Sequence, residues 1–451
     1  MKVYNQDLMQ IENYRDAERY MYDIPKFTKK NHMDDTKAFL QFFVARSGFA
    51  LGDLDGKVIH VAGTNGKGSV CTYIDYVLRE AGYRTGVFTS PHLITMCERF
   101  RISGEMMAEA TFVRLLCDVC AGAEAYSREK NVQYHPTFFE TLFFMSVVFF
   151  LENQTDYIIM ETGLGGRLDA TNSIMHPVLS VITEVGLDHT EYLGETISQI
   201  AEEKAGIIKE GTPLVYWAKR EQVSIVIEEY AKKMRVPVVA VKPADIKELK
   251  FHKKFIDFSM ESRYYNNVKI TLGNFAIYQA ENAALAFRAL ELLMKGKIDK
   301  ECLCAGFARA KWEGRMDEVL PDVFLDGAHN IDGIRALLTT VKEDACEGRR
   351  TLMFGVMKDK YYHDMIVLLA ESNLFDNIVL TQVENDRALP EEQLKSEFKG
   401  IADWEVVYFP NAEDAFRYSI ENKTPGDKVY VSGSLYLIGE LKALLRRKLD
   451  D

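Results

Sequence analysis

Short apolar runs alternate along the first half of the chain with polar turns and with segments of helical period. The run Val58–Ala62 precedes a Gly-rich turn. In the segment Ser69–Glu80 that follows, apolar residues recur with helical period. The same succession of apolar run, polar loop and helical segment recurs from 84–89, 157–160 and 178–183. Such alternation predicts a doubly wound α/β fold with a mostly parallel sheet, which binds ligands at the carboxyl ends of its strands.

The second half of the chain predicts a separate, smaller α/β unit. Polar and aromatic residues alternate from Phe251 to Leu272, as in antiparallel strands, and an Ala- and Leu-rich helix follows. Beyond a weak boundary near 296–314, apolar runs again alternate with helical segments. These runs lie at 322–326, 351–356, 376–381, 405–408 and 428–431. We predict one domain over residues 1–297, with a helical N-terminal segment, and a second over 298–451.

Composition limits the classes of partner. With 451 residues, 47% of them apolar, the chain can bury a core in each of two domains. Its 55 Lys and Arg against 67 Asp and Glu give a net charge of −12, which excludes a broad basic surface for nucleic acid. The longest apolar run, Leu142–Leu151, is about half a membrane span and predicts a buried helix.

Cysteine usage and the N-terminus indicate the compartment. No apolar segment follows Lys2, so we expect no signal peptide. Seven cysteines at irregular spacings are typical of a reduced, cytoplasmic protein. Cys117 and Cys120 lie in a helical stretch without a second pair at zinc spacing, so we expect buried helix residues rather than metal ligands. We expect a soluble, cytoplasmic monomer with small-molecule substrates and no nucleic-acid or membrane partner.

The strongest candidate for chemistry is the Gly-rich turn Gly63–Ser69, which follows a strand and opens a helix. In that context, backbone N–H groups and the helix dipole hold phosphate. Lys67 would reach the outer phosphates of a nucleotide, and Ser69 would lie near its metal ion. The common P-loop pattern is not met, because Val61 and Gly68 occupy the positions of its first Gly and its Ser or Thr. Phosphate binding is favoured, and a plain Gly-rich turn stays open.

Four other predicted strands also end in polar clusters. These clusters are Ser90–Leu93, Glu161–Asn172, Gly186–His189 and, in the second unit, Asp326–Asn330. A carboxylate at a strand end beside a phosphate loop is placed to bind Mg²⁺. Taken alone, each cluster also fits a solvated turn, and Lys204 fits a solvated helix face. Their convergence at strand ends favours a site between two domains.

Together the motifs resemble the folylpolyglutamate synthase/dihydrofolate synthase family, a branch of the Mur-type amide ligases. Matching stretches run in the order of that family from about residue 58 to 440, which makes the resemblance highly specific. They are Gly63–Ser69, Ser90–Leu93 with Glu98–Phe100, Phe139–Thr141, Glu161–Asn172, Gly186–His189 with Glu203–Ile207, Gln279–Ala283, Gly314–Met316, Asp326–Asn330, Gly355–Lys360 and Ser432–Leu435. Tyr278 departs from the family, which usually has His before Gln279, and no pterin-binding loop is matched within Ile11–Phe43.

The resemblance implies an N-terminal P-loop ATPase-type doubly wound domain and a smaller C-terminal Rossmann-like α/β domain. It implies ATP and two Mg²⁺ ions, with Ser90, Glu161 and His189 as metal ligands and Lys204 as a carbamylated lysine (N6-carboxylysine). Lys67, Lys204 and His189 would act in catalysis. The implied ATP contacts are Gly63, Thr64, Asn65, Gly66, Lys67, Gly68, Ser69, Asn282, Arg315, Asp326 and His329. The implied contacts of the pterin substrate are Thr137, Leu168, Asp169 and Ala170.

The implied reaction adds L-glutamate to dihydropteroate, to the terminal glutamate of a folate, or to both. ATP would first convert the acceptor carboxylate to an acyl phosphate, and the products would be an amide, ADP and phosphate. A Mur-type ligase acting on a cell-wall nucleotide precursor, a P-loop kinase and a non-catalytic nucleotide-binding module of the same fold are the alternatives. Loss of Lys67, Glu161, His189 or Lys204 would have favoured the module, and all four are present.

Overall fold

Eight strands of the first unit form one sheet in the computed structural model, which describes residues 11–24, 32–401 and 406–450. In chain order they are β1 (Val58–Ala62), β2 (Thr85–Phe88), β3 (Phe100–Ile102), β4 (Glu105–Met106), β5 (Tyr157–Glu161), β6 (Leu179–Ile182), β7 (Leu214–Trp217) and β8 (Val238–Val241). Across the sheet the order is β4–β3–β2–β5–β1–β6–β7–β8. The β4–β3 and β3–β2 pairings are antiparallel, and all others are parallel. The predicted doubly wound, mostly parallel sheet is confirmed.

Helices cover both faces of this sheet. They are α1 (Tyr14–Asp23), α2 (Met33–Arg46), α3 (Lys67–Glu80), α4 (Glu109–Lys130), α5 (Phe138–Glu152), α6 (Thr190–Leu193), α7 (Ile197–Ala205), α8 (Glu221–Met234), α9 (Ile277–Met294) and α10 (Lys300–Arg309). Short 3₁₀ turns lie at Leu51–Leu54, Met96–Arg99, Ala170–Ser173 and Pro243–Asp245. Successive side chains of β1 enter opposite cores: Val58 packs with α2, α4 and α5, whereas Ile59 and Val61 pack with α3 and α9.

The helix predicted from the apolar run is α5, and it is buried along almost its whole length. It packs between α2 and α4, which explains why its sequence is apolar on every side. Within the described ranges, no helix combines the length and the apolar character needed to cross a membrane.

A three-stranded antiparallel sheet follows, as the alternation between Phe251 and Leu272 predicts. Its strands are β9 (Lys247–Phe251), β10 (Ile256–Ser262) and β11 (Asn266–Leu272), with β10 in the centre. The apolar side chains of β10 and β11 join the core formed by α3, α9 and α10. The small sheet is therefore part of the first unit.

The second unit is built around a six-stranded sheet. Its strands are β12 (Asp317–Leu320), β13 (Val323–Leu325), β14 (Arg350–Phe354), β15 (Asn377–Thr381), β16 (Val406–Phe409) and β17 (Lys428–Ser432), in the order β12–β13–β17–β14–β15–β16. Its helices are α11 (Ile331–Glu343), α12 (Tyr362–Glu371), α13 (Glu391–Ile401), α14 (Ala412–Glu421) and α15 (Leu435–Asp450). Among the described pairings of this six-stranded sheet, only β12–β13 is antiparallel.

The sequence predicts the boundary between the two units after residue 297. In the structure, residues beyond 297 still pack with the first unit. Helix α10 packs along α3 of the first unit, with Gly306 against the backbone of Val77. Leu303 and Phe307 are buried in the core of the first unit, and the second sheet begins only at Asp317. The turn around Gly296 is the end of a helix rather than a linker, because Lys295 and Gly296 have the left-handed backbone common after helix C-termini.

Candidate active site

The Gly63–Ser69 turn joins β1 to α3, and two of its glycines are required by close contacts. A Cβ on Gly63 would lie 1.7 Å from Thr183 Oγ1, and one on Gly66 would lie 2.2 Å from Asn282 Oδ1. Gly66 also has a φ of +86°, which favours glycine. The loop is therefore fixed in shape, with its backbone N–H groups at the N-terminus of α3.

Two lysines point at this loop from different helices. Lys67 Nζ donates hydrogen bonds to the carbonyl oxygens of Gly63 and Thr64, each at 3.1 Å. Lys204, in the last turn of α7, donates to the Gly63 oxygen at 2.8 Å and is 2% exposed. Burial and the nearby charge of Lys67 lower the pKa of Lys204 to about 7. A substantial fraction of the Lys204 amine is therefore uncharged near neutral pH.

Glu161 ends β5 beside the loop and is 3% exposed. The Ser90 N–H donates to its Oε2 at 3.0 Å, and Lys67 Nζ lies 4.0 Å from its Oε1. Burial raises the pKa of Glu161, and the charges of Lys67 and Arg315 oppose that shift. The carboxylate, the Ser90 backbone and the Lys67 ammonium are therefore adjacent, as the parallel sheet predicts.

The loop after β6 carries Asp188 and His189. Burial lowers the pKa of His189 to about 4, so its imidazole is neutral and able to bind a metal ion. Asp188 is buried and accepts hydrogen bonds from Lys360 Nζ at 2.7 Å and Asn330 Nδ2 at 3.1 Å, both from the second unit. Burial opposes ionisation of Asp188, but His329 and Lys360 outweigh it and hold the pKa well below its ordinary value.

The second unit faces the loop across a cavity that is open to solvent. Asn65 and Asn330 exchange hydrogen bonds between their side-chain amides, at 3.0 and 3.4 Å. Asp326 directly follows β13. Burial raises the pKa of Asp326, and the charge of Arg315 opposes that shift. The walls of the cavity include Asn65, Gly66, Ser69, Asn282, Arg315, Asp326 and His329 from the sequence-derived set.

The four residues assigned to the pterin substrate lie on a neighbouring loop and helix. Helix α5, which Thr137 caps, contacts the turn Ala170–Ser173. Leu168 is 76% exposed. Asp169 is instead buried, and its carboxylate accepts hydrogen bonds from Leu164 N, Thr171 N and Thr171 Oγ1 within the same loop. The Asp169 carboxylate therefore stabilises the conformation of its own loop through these hydrogen bonds.

The sequence did not single out Asp188, Asn330 or Lys360 as site residues, although each lies in a matched motif. Lys360 follows β14 at the carboxyl edge of the second sheet, a position that could have indicated it. Among the described residues, no group of three or more His, Cys, Asp and Glu side chains is placed to hold a metal ion. A metal here would need hydroxyl, water and phosphate oxygens as further ligands.

Family models and curated relatives match this chain over most of its length. The model of the Mur ligase middle domain matches residues 61–290, and that of the Mur ligase glutamate ligase domain matches residues 314–435. The chain is 34% identical over 96% of its length to the dihydrofolate synthase/folylpolyglutamate synthase of Bacillus subtilis, and covers 99% of it. It is 29% identical over 96% of its length to the folylpolyglutamate synthase of Lacticaseibacillus casei, and again covers 99%.

Solved structures show the same two-unit architecture. Mycobacterium tuberculosis folylpolyglutamate synthase complexed with ADP and AMPPCP superposes with a TM-score of 0.85 at 25% identity, over 98% of this chain and 99% of that one. E. coli FolC in complex with DHPP and ADP superposes with a TM-score of 0.82 at 25% identity, over 97% and 98%.

Proposed function

Because the chain belongs to the folylpolyglutamate synthase/dihydrofolate synthase family of Mur ligases, we propose that it is an ATP-dependent ligase that joins L-glutamate to dihydropteroate, to folates, or to both. The observation that carries this proposal is the cavity between the two units. There Asn65, Gly66 and Ser69 of the glycine loop face Arg315 and Asp326 of the second unit.

The chemistry requires two transfers. An acceptor carboxylate oxygen attacks the γ-phosphorus of ATP, the bond from that phosphorus to the β–γ bridging oxygen breaks, and ADP leaves. The glutamate amine then attacks the acyl carbon, loses a proton, and expels phosphate to leave an amide. Activation is needed because a carboxylate does not react with an amine until its oxygen becomes a good leaving group.

This chain's own residues would bind and orient the nucleotide. The backbone of Gly63–Ser69 would hold the phosphates, and Lys67 would turn from its two backbone carbonyls to the transferred group. Asn282 would contact ATP beside the loop, and Arg315, Asp326 and His329 would contact it from the opposite wall. The Asn65–Asn330 and Asp188–Lys360 pairs hold the two walls together, which supports exclusion of water from the acyl phosphate.

The donors near Glu161 fit Mg²⁺. Mg²⁺ prefers oxygen ligands and keeps waters and substrate phosphates, which suits a site with few protein ligands. Glu161, Ser90 and the neutral imidazole of His189 would hold the two ions that we propose. Bound Mg²⁺ would neutralise charge on the phosphoryl group.

The environment of Lys204 fits a carbamate. A pKa of about 7 leaves much of the amine uncharged, and only an uncharged amine captures CO₂. The modified side chain would be an anion close to Lys67 and would offer a further oxygen ligand for Mg²⁺. We propose this modification for Lys204.

The acceptor would lie against Leu168 and Ala170, near Thr137, with Asp169 holding their loop. The test is ATP, Mg²⁺ and L-glutamate with dihydropteroate or tetrahydrofolate, with products identified by mass. Gain of one glutamyl residue by either acceptor supports the proposal, and gain by both indicates a bifunctional enzyme. If neither acceptor gains a glutamyl residue, the result would contradict the proposal and favour a cell-wall ligase or a non-catalytic module. Lys67→Ala should lose activity, whereas the exposed Lys232→Ala should keep it.

We also propose that the protein acts as a cytoplasmic monomer. All seven cysteines are free in the structure, which supports a reducing compartment. Light scattering after size exclusion tests the oligomeric state, and a dimer mass would contradict it.

A further inference from the structure

His60 is a polar residue in the middle of β1, an interior strand of the first sheet. Its four neighbours in the strand are apolar, and its side chain is fully buried. The Nε2 atom of His60 lies 2.8 Å from Thr171 Oγ1, in the loop between β5 and β6 that also carries Leu168 and Ala170. We call residues 163–173 of this loop the acceptor loop. His60 therefore joins the acceptor loop to the strand that ends in the phosphate loop.

Thr171 links His60 to Asp169. Thr171 Oγ1 donates to Asp169 Oδ1 at 2.6 Å, and Thr171 N donates to the same oxygen at 3.0 Å. The other carboxylate oxygen of Asp169 accepts from Leu164 N at 2.8 Å. A hydroxyl group has one proton, and that of Thr171 is committed to Asp169, so His60 Nε2 must be the donor toward Thr171. The hydrogen bonds thus run in one direction, from His60 through Thr171 to Asp169.

This direction fixes the tautomer of His60. Burial lowers the pKa of the imidazole to about 3, so the ring is neutral and its one proton lies on Nε2. The Nδ1 atom is then a buried acceptor, and it has no hydrogen-bond partner among the described residues. An unpaired buried acceptor is unfavourable for folding. What a histidine adds here over an apolar residue is therefore the hydrogen bond to Thr171.

A second contact of the acceptor loop is with the end of α7. Arg167 N donates to Glu203 O at 2.8 Å, and a Cβ on Gly166 would lie 2.7 Å from the same oxygen. A Cβ on Gly206 would lie 2.5 Å from Arg167 Cα. The acceptor loop is therefore held by both β1 and α7, and β1 continues directly into Gly63–Ser69. A shift of the acceptor loop would move a bound acceptor relative to the nucleotide phosphates.

We propose that His60 is a positioning residue, which acts through Thr171 and Asp169 to hold the acceptor loop in place relative to the phosphate loop, so that the acceptor carboxylate meets the γ-phosphate of ATP. This inference rests on the proposed function for the identity of the acceptor, whereas the hydrogen bonds to the loop do not depend on it. His60 is not among the residues that line the cavity between the two units. Its replacement should therefore weaken acceptor binding and leave nucleotide binding unchanged.

The variants separate this role from a general effect on stability. In His60→Gln, the amide nitrogen can occupy the position of Nε2 and donate to Thr171, whereas the shorter side chain of His60→Asn reaches only the position of Nδ1. Thr171→Val removes the hydroxyl, and Thr85→Val is its matched control. Thr85 is as buried as Thr171 and likewise donates to a buried carboxylate, that of Asp75. Thr85 begins β2, however, at the edge of the sheet opposite the acceptor loop.

Two measurements are made on each full-length protein. Hydrogen–deuterium exchange without ligands reports on the acceptor loop, and ligation kinetics give KM for ATP and for whichever acceptor the wild type uses. His60→Asn and Thr171→Val should each accelerate exchange in the acceptor loop and raise KM for the acceptor about three- to tenfold, the value of one hydrogen bond. KM for ATP should not change. His60→Gln should resemble wild type, and Thr85→Val should lower the melting temperature without either effect.

Unchanged exchange or unchanged KM for the acceptor in His60→Asn and Thr171→Val would overturn the proposal. An equal rise of this KM in Thr85→Val, or the same loss in His60→Gln as in His60→Asn, would also overturn it. If His60→Asn does not fold, His60→Leu replaces it with the same expectation. Wild type that ligates glutamate to neither acceptor would contradict the proposed function, and the exchange comparison would still decide whether His60 holds the loop.

Discussion

Lys67 and Lys204 donate hydrogen bonds to the same atom, the backbone carbonyl oxygen of Gly63, at 3.1 and 2.8 Å. Burial, and after it the nearby charge of Lys67, lowers the pKa of Lys204 to about 7. The phosphate loop thus sits beside an amine that can lose its charge. This pairing links phosphate binding to the proposed carbamate.

Replacement of Lys204 by Ala should lower turnover by at least about a hundredfold, as expected for loss of a positioned charge in an active site. Acetate or formate should partly restore activity, because a small carboxylate can occupy the space of the carbamate. Phosphate release measures both effects. Lys204→Arg keeps a cation but cannot form the carbamate, so it should be inactive with or without acetate. A fully active Lys204→Ala protein would remove Lys204 from the mechanism.

The pair between Asp188 and Lys360 should couple the two units energetically. Both side chains are largely buried, and their atoms lie 2.7 Å apart. Asp188→Asn and Lys360→Met should each lower kcat/KM, and the double variant should be no worse than the more damaged single one. The coupling free energy from the four kcat/KM values should be about 2 kcal/mol. Additive losses would contradict a direct role for the pair.

Leu168 and Asp169 are adjacent and should behave differently. Leu168→Ser should raise KM for the acceptor with little change in thermal stability, because the side chain is exposed. Asp169→Asn should also lower the melting temperature, because an amide presents a donor where three N–H and O–H groups need an acceptor. Acceptor kinetics and thermal denaturation together check this. Equal stability losses would contradict the assignment.

Glu440 predicts a pH dependence of stability away from the site. Burial raises its pKa to about 7, while its Oε1 accepts from Glu384 N. The folded state therefore binds more protons than the unfolded state between the ordinary pKa and 7, so stability falls as pH rises through that window. After solvent screening the loss should be about 1 kcal/mol. Urea titrations at pH 5 and pH 8 give the change in the free energy of unfolding between the two pH values. This change should be larger for wild type than for Glu440→Gln, and an equal change in both proteins would contradict the prediction.

Local patterns were enough to predict the elements that carry the site. β1 and the glycine loop follow from an apolar run and its turn, and the paired strand ends follow from the parallel sheet. The strands β7 and β8, of four residues each, were not predicted. Asp188 and Lys360 are 172 positions apart, and only the docking of the two units brings them together.

The role of Asp169 was equally inaccessible from the sequence. A Gly- and Asp-rich loop predicts exposed, ligand-binding carboxylates, and the structure buries this one against the backbone of its own loop. The early domain boundary has a similar cause. The sequence indicates only a weak boundary near 296–314, because the packing of α10 on α3 depends on contacts between distant segments.

The most direct test of the central claim follows oxygen from the acceptor carboxylate. The acceptor is either dihydropteroate labelled with ¹⁸O in its carboxylate or tetrahydrofolate labelled in its terminal γ-carboxylate. It is incubated with ATP, Mg²⁺ and L-glutamate, and the released phosphate is analysed by mass. Activation through an acyl phosphate predicts one ¹⁸O atom in the phosphate for each amide formed from fully labelled acceptor. Phosphate without label, alongside amide product, would contradict that mechanism.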